Sequence, residues 1–225
     1  MSWFLPESVS TYGADIDRIY YVILFITGIV FVATEALLLW FVFRYRHREG
    51  RTASYIHGSL KAEVIWTLTP FLIVLGIAFM SRGVWAEVRD PARIPGDAME
   101  ILMTASQFEW NATYPGADGT LGTDDDFVSR NIIHIPVDQP VRITLTSEDV
   151  LHSFFLPYLR VKQDAVPGME IPVWFEATRT GEYPLACAEL CGLGHYRMGA
   201  TLIVDSQADY DAWMQTQIEG AAAAE

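Results

Sequence analysis

Two long apolar segments near the start of the chain constrain its fold most strongly. Residues Ile19–Phe43 contain a single charged side chain, Glu35, and residues Val64–Ser81 contain none. A helix needs about twenty apolar residues to cross the hydrocarbon core of a bilayer. The alternative for the first segment is a signal peptide, but it has no basic flank, no small-residue cleavage site and too long an apolar core. We therefore predict two membrane helices, over about residues 19–43 and 62–84.

Basic residues predict how these helices are oriented. The segment between them, residues 44–61, holds five Lys or Arg against one acid, whereas the first eighteen residues hold only Arg18 against three acids. Basic loops stay on the cytoplasmic side of a membrane. Both termini, and everything after Trp85, are therefore expected to face outward.

The outward part has the pattern of an all-β domain. Short β-rich runs such as "NIIHIP", "VRITLT" and "ATLIVDS" alternate with Gly, Pro and Asp, as in antiparallel sandwiches and barrels. In "VRITLT", Val141, Ile143 and Leu145 would share one buried face. We predict an anchor of residues 1–85 followed by one β-sandwich of residues 86–225. Residues 115–126 are expected to form an acidic loop, and residues 213–225 a frayed helical tail.

The outward part is strongly acidic. Residues 86–225 hold eight Lys or Arg against twenty-two Asp or Glu, which accounts for the net charge of −13 of the whole chain. Such a field repels nucleic acid and attracts cationic partners. The alternative is that the acidic surface serves solubility alone.

The stretch "CAELCGLGHYRM", residues 187–198, gathers the only two cysteines with His195 and Met198. Thiolate, thioether and imidazole donors together suit copper. A second imidazole could come from His134, inside a strand, or from His152, just past the end of one. Two thiolates, two imidazoles and a thioether are too many soft donors for one copper ion, and they fit two ions that share both sulfurs.

A disulfide and a zinc site both fit this stretch less well than copper. A disulfide would close a very short loop, would stabilise little and would leave the histidine and methionine without a role. A zinc site normally has four Cys or His ligands, and methionine is a poor donor to zinc.

Three motifs, "HSFFLP", "KQDAVPGM" and "CAELCGLGHYRM", resemble those of subunit II of the haem–copper cytochrome c oxidases. The resemblance covers essentially the whole chain. It implies a two-helix transmembrane hairpin and a cupredoxin-like domain with a dinuclear copper centre, CuA. It also implies a bacterial or mitochondrial inner membrane, with the domain in the periplasm or intermembrane space. The implied copper ligands are His152, Cys187, the backbone carbonyl of Glu189, Cys191, His195 and Met198.

The resemblance implies roles for three acidic side chains. The Glu189 carboxylate would help to hold a magnesium or manganese ion shared with subunit I, and Asp164 would lie near that ion. Glu63 would be the entrance of a proton channel into subunit I. The alternatives are a solvated loop acid, a turn residue and a helix-dipole contact, respectively. The resemblance gives no role to Glu35, although a carboxylate within a span is costly and usually faces protein.

The stretch "SQFEWNATYPG" corresponds to the aromatic segment at which the family takes up electrons. Phe108 stands where a tryptophan is common, and Trp110 matches a second aromatic residue. The alternative for both is a place in the sandwich core. Glu109 and residues 124–126 could meet lysines of a donor haem protein, or form a solvated acidic tip.

The predicted function is that of subunit II of a terminal oxidase. It would pass electrons from a cytochrome c-like donor, through CuA, to haem held only in subunit I, for oxygen reduction coupled to proton pumping. Its predicted partners are subunit I, subunit III, that donor and the lipid bilayer. Alternatives are the CuA subunit of a nitric oxide reductase and a membrane-tethered copper carrier. The chain contains no CxxCH haem-attachment motif, so we expect an external donor.

Overall fold

The computed structural model describes residues 4–222, which form three α-helices, two short 3₁₀ helices and ten strands. The helices are α1 (Gly13–Arg44), α2 (Leu60–Arg89) and α3 (Gln207–Ala222). The strands are β1 (Met99–Ser106), β2 (Glu109–Tyr114), β3 (Phe127–Arg130), β4 (Ile132–Pro136), β5 (Pro140–Ser147), β6 (His152–Leu156), β7 (Val161–Ala165), β8 (Ile171–Glu176), β9 (Gly181–Cys187) and β10 (Gly199–Asp205).

The chain divides into two compact units, and the first consists of the two apolar helices. This unit comprises residues 15–84. Both helices are long and apolar enough to cross a membrane, with mean hydropathies of 2.5 and 2.1, and no residue of either apolar window is buried within the chain. Helix α1 starts six residues before the predicted span, because the polar residues around Asp15 and Arg18 continue the same helix.

The second unit is a sandwich of two five-stranded sheets. The strand order is β3-β2-β1-β5-β8 in one sheet and β4-β10-β9-β6-β7 in the other. Strand β1 pairs in parallel with β5, and β10 in parallel with β4, whereas the other pairs are antiparallel. Strand β5 alternates as predicted, with Val141, Ile143 and Leu145 fully buried. Two apolar helices followed by a β-sandwich is the predicted fold class.

The N-terminal segment packs with the sandwich. The structure groups residues 4–14 with residues 85–222, although the sequence assigned the former to the anchor. The backbone N–H of Val9 donates to the Tyr158 carbonyl at 2.8 Å, and Thr178 N–H donates to the Val9 carbonyl at 2.8 Å. The hydroxyl of Tyr12 donates to the Trp174 carbonyl at 2.9 Å. This segment therefore continues the hydrogen bonding of the sandwich edge.

Helix α3 covers one end of the sandwich through a cluster of rings. The Trp213 ring stacks on His134, with ring centroids 4.3 Å apart, and meets Tyr114 and Phe127 edge-on. His134 is also paired with Asp205 at 2.7 Å. The predicted tail is thus an ordered helix as far as Ala222, and residues 223–225 of that prediction lie outside the described residues.

Candidate metal centre

A cluster of sulfur and nitrogen donors lies at the loop between the last two strands. Cys187 ends β9, and residues 188–198 form the loop that leads into β10. Because β9 and β10 pair, the two ends of the loop meet, and Cys187 N–H donates to the Met198 carbonyl at 3.1 Å. A 3₁₀ turn over His195–Arg197 then brings His195 and Met198 back toward the cysteines. Residues 187–198 are called the Cys–His loop below.

The neighbouring strand β6 supplies the second imidazole. β6 pairs with β9, with Phe154 opposite Cys187. His152, the first residue of β6, therefore lies beside the Cys–His loop, and its side chain is fully buried. Of the two histidines that the sequence left open, the structure brings His152 to the cluster and leaves His134 with Asp205 and Trp213.

The donor atoms surround the two sulfurs. Cys187 Sγ lies 3.8 Å from Cys191 Sγ, 3.9 Å from His152 Nδ1 and 3.2 Å from the Glu189 carbonyl oxygen. Cys191 Sγ lies 3.7 Å from His195 Nδ1 and 3.6 Å from Met198 Sδ. The structure thus brings together all six donors that the resemblance implies.

The two cysteines are free thiols, and their environment suits a soft metal. Their separation of 3.8 Å is far above the S–S length of about 2.05 Å in a disulfide. It is compatible with two thiolates that share one ion at about 2.3 Å from each sulfur. Burial, reinforced by the neighbouring Cys187 thiol, raises the pKa of Cys191 to about 11. A metal at this place therefore has to displace a proton from that thiol. The donor set fits copper.

Asp149 orients the buried histidine. Its Oδ1 accepts a hydrogen bond from His152 Nε2 at 2.8 Å, which leaves Nδ1 of that ring facing Cys187. Asp149 also accepts from the backbone N–H groups of Val150 and Gln107, at 2.6 and 2.7 Å. Partial burial opposes ionisation, but these hydrogen bonds, the one from His152 foremost, hold the pKa of Asp149 below its usual range. The carboxylate thus stays charged and fixes the tautomer of His152.

The two aromatic residues of the "QFEW" stretch occupy different environments. Trp110 is fully buried, and its ring centroid lies 6.1 Å from that of His152. Phe108 is half-buried and lies against the backbone of the Cys–His loop, where a Cβ added to Gly194 would come within 2.6 Å of the ring. The Arg197 guanidinium stands 6.0 Å from the centroid of the Phe108 ring. Trp110 is therefore a core residue, and only Phe108 reaches the surface.

Comparison with known proteins identifies the family. Residues 107–206 match the family model described as cytochrome c oxidase subunit II, periplasmic domain, and residues 1–84 match the transmembrane domain of the same subunit. The chain is 35% identical to the alternative cytochrome c oxidase subunit 2 of Bradyrhizobium diazoefficiens, over 96% of this chain and 84% of the relative. The chain belongs to the cytochrome c oxidase subunit II family.

The chain is also similar to other subunit II proteins. Cytochrome c oxidase subunit 2 of Thermostichus vulcanus is 29% identical over 93% of this chain and 77% of its own length. A crystal structure of the periplasmic domain of subunit II of cytochrome oxidase from Bradyrhizobium japonicum matches with a TM-score of 0.49 and 29% identity, over 56% of this chain and 98% of that one. The family models and the Bradyrhizobium diazoefficiens relative confirm the predicted family and the predicted membership of an oxidase. The two apolar helices and the β-sandwich of the structure itself confirm the predicted fold class. This subunit II domain is of a copper-binding kind, and in the structure His152, Cys187 and Cys191 form a cluster that could hold a metal ion.

The other predicted residues of this subunit II lie as follows. Glu189 and Asp164 both contact Lys162, whose Nζ lies 3.4 and 3.5 Å from their carboxylate oxygens. Glu63 lies in the first turn of α2, where its N–H donates to the Ser59 carbonyl at 3.0 Å.

Asp149 was missed by the sequence analysis. Its position three residues before His152 was a signal, because histidine ligands of metals commonly hydrogen-bond to a carboxylate.

Proposed function

We propose that this chain is the electron-accepting subunit of a terminal oxidase, with a dinuclear copper centre held by His152, Cys187, Glu189, Cys191, His195 and Met198. Glu189 would contribute its backbone carbonyl. The observation that carries the proposal is the arrangement of donor atoms around the two cysteine sulfurs. One donor atom from each of His152, Glu189, His195 and Met198 lies within 3.9 Å of one of these sulfurs. When bound, the copper pair would supply one-electron redox chemistry.

The chain's own residues would keep this centre rigid and dry. His152, Cys187, Cys191 and Met198 are all buried, so water has little access to the donor atoms. Hydrogen bonds from Cys187 N–H to the Met198 carbonyl, and from Ala188 N–H to the Ser153 carbonyl at 3.0 Å, tie the loop to the sheet. Because the ligands cannot rearrange easily, they favour electron transfer over substrate binding, which needs an open coordination position.

The donor protein would dock on the exposed surface of the Cys–His loop. Leu193 is 98% exposed and Tyr196 is 86% exposed, and both belong to the segment that contains His195. The Phe108 ring lies against Gly192 and Gly194, the two neighbours of Leu193 in the chain, and the Arg197 guanidinium stands 6.0 Å from its centroid. We assign the docking contact to this apolar surface around Phe108, and the long-range attraction of a cationic donor to the acidic charge of the domain. Trp110, being buried, would act only inside the protein.

The magnesium or manganese ion would be shared with subunit I. Glu189 and Asp164 are half-exposed carboxylates close enough to contact one ammonium group, and carboxylate oxygens are suitable ligands for such hard cations. This chain would contribute the Glu189 side chain, with Lys162 turned away toward solvent. Haem would be held only by the partner subunit.

Glu63 would admit protons on the cytoplasmic side. It is exposed at the start of α2, next to the basic segment that is expected to face the cytoplasm. Replacement of Glu63 with glutamine should slow proton-coupled turnover of the assembled oxidase without changing the copper spectrum. The complex would also contain subunit III, and its membrane would be a bacterial or mitochondrial inner membrane.

The deciding experiment is copper loading of the purified chain followed by absorption and electron paramagnetic resonance spectroscopy. An unpaired electron shared by two equivalent copper nuclei gives more hyperfine lines than an electron on one nucleus. We expect that richer pattern, with two copper ions per chain. The pattern of a single copper ion, or preferential uptake of zinc, would overturn the proposal.

Two substitutions sharpen this experiment. Cys191→Ser should abolish the two-copper spectrum, because the centre would lose one of its two thiolate donors, while the far-ultraviolet circular dichroism of the sandwich stays unchanged. Ser129→Ala, on strand β3 of the other sheet, is the matched control and should leave the spectrum unchanged. A native spectrum in Cys191→Ser would contradict the ligand assignment.

A further inference from the structure

Glu35 is a carboxylate deep inside a membrane helix. The basic residues Arg18 and Arg44 flank the apolar part of α1. At about 1.5 Å per residue, Glu35 lies about 14 Å along the helix from Arg44 and about 26 Å from Arg18. The hydrocarbon core is about 30 Å thick, so the short side chain of Glu35 cannot reach either membrane surface. Ionisable groups at such a depth face protein or a polar cavity rather than lipid.

The described part of the chain supplies no partner for Glu35. Between residues 4 and 222 the structure gives its carboxylate no hydrogen bond and no ion pair. The basic residues of α2, Lys61, Arg82 and Arg89, lie near the ends of that helix rather than at the depth of Glu35. Within residues 4–222 the Glu35 carboxyl group is therefore left without a partner, and a neighbouring chain in the membrane can supply one.

The helix face that carries Glu35 is shaped for close packing. Gly28 lies two helical turns before Glu35, and Val32 lies one turn before it, so all three share a face. A groove on this face is lined by Leu24, Phe25, Gly28, Ile29, Val32 and Ala36, and Gly28 leaves it open because it has no side chain. Small residues of this kind let membrane helices approach closely, and a polar side chain at the edge of the contact then hydrogen-bonds across it.

We propose that the Gly28–Glu35 face of α1 seats a membrane helix of subunit I, and that this helix presents a hydrogen-bond donor to the Glu35 carboxyl group. The inference rests on the proposed function only in that the chain assembles with subunit I. It assigns Glu35 a role in assembly, separate from copper binding and from electron uptake.

The test uses the intact oxidase with an affinity tag on subunit I. After mild solubilisation, the amount of this chain recovered per subunit I is measured. Glu35→Leu should lower that ratio about three- to tenfold, the range expected for loss of one hydrogen bond between membrane helices. Glu35→Gln, which retains an acceptor oxygen, should stay near the wild-type ratio. Leu37→Ala, at similar depth on the opposite side of α1, is the matched control and should also stay near it.

A photo-crosslinking residue locates the contact independently of stability. Placed at Val32 it should crosslink to subunit I, and placed at Leu37 it should not. Wild-type recovery of Glu35→Leu, equal losses for Glu35→Leu and Leu37→Ala, or crosslinking from Leu37 but not from Val32 would overturn the inference. The copper spectrum of each variant in the membrane fraction reports whether the chain is inserted and folded. If the unaltered chain has a native spectrum but does not co-purify with subunit I, both the proposed assembly and the role of Glu35 in it are wrong, whereas wild-type recovery of Glu35→Leu counts against the role of Glu35 alone.

Discussion

Asp149 accepts a hydrogen bond from His152 Nε2 at 2.8 Å, and this contact directs the other ring nitrogen toward Cys187. The carboxylate is itself held by the backbone N–H groups of Gln107 and Val150. It therefore links the aromatic stretch that begins β2 to the histidine that begins β6. A side chain outside the proposed ligand set thus determines how the His152 ring is presented to Cys187.

The first prediction concerns this contact. Asp149→Ala should lower copper affinity about 10- to 100-fold, the usual effect of removing the hydrogen-bond partner of a metal-binding histidine, because the His152 ring loses its fixed orientation and tautomer. Competition with a chelator measures the affinity. Glu148→Ala, at the exposed neighbouring position, is the control. Equal copper affinity in the Asp149 and Glu148 variants would contradict the positioning role.

A second prediction follows from the packing of Phe108 on the Cys–His loop. A Cβ at Gly194 would lie within 2.6 Å of the Phe108 ring, so Gly194→Ala forces the ring or the loop to move. We expect it to lower the free energy of unfolding by about 1–3 kcal/mol, as overpacking usually does. Chemical denaturation measures this free energy. Gly96→Ala, where nothing lies within 4 Å of an added Cβ, should have little effect.

A double-mutant cycle assigns the second effect to the ring. In a Phe108→Ala background the added methyl group has room, so Gly194→Ala should cost less than about 0.5 kcal/mol there, since residues in contact show coupling energies of about 0.5–3 kcal/mol. An equal cost of Gly194→Ala in both backgrounds would mean that the Phe108 ring is not what restricts position 194.

The third prediction concerns helix α3. Trp213 contacts His134, Tyr114 and Phe127 but is only half-buried, so Trp213→Ala should lower the free energy of unfolding by about 2–3 kcal/mol, somewhat less than for a fully buried tryptophan. The copper spectrum should not change, because none of these rings touches the cluster. Gln215→Ala on the same helix is the exposed control. A changed spectrum would show that α3 supports the metal centre.

Much of the fold was predictable because hydrophobic patterns act locally. The two membrane helices follow from the apolar runs alone, and β5 follows from the alternation of Val141, Ile143 and Leu145. The place of residues 4–14 could not be predicted in this way. Their contacts with Tyr158 and Trp174 join positions far apart in the sequence, and a short segment of mixed polarity gives no sign of which sheet edge it will meet.

Local patterns also predicted the part of the candidate site whose donors are close together in the sequence. Cys187, Cys191, His195 and Met198 lie in one loop, whereas the second histidine comes from another strand. The sequence left His134 and His152 as alternatives, and only the pairing of β6 with β9 decides between them. The burial of Trp110 was likewise open, because an alternating strand is equally compatible with either face until its neighbours are known.

The last prediction separates attraction of the donor from its docking. Leu193 is almost fully exposed at the tip of the Cys–His loop, so a partner that docks there buries it. Leu193→Gln should slow electron uptake from a cytochrome c-like donor about fivefold, as loss of an apolar contact at the centre of an interface does, and the slowing should persist at high salt. Raising the salt concentration should slow the wild-type chain and this variant by the same factor, because screening acts on the acidic domain as a whole. Stopped-flow oxidation of the donor measures both effects, with Val128→Gln on the exposed face of β3 as the control. If the Leu193 effect vanished at high salt, the loop would act only through the electrostatic encounter, and the docking contact would lie elsewhere on the domain.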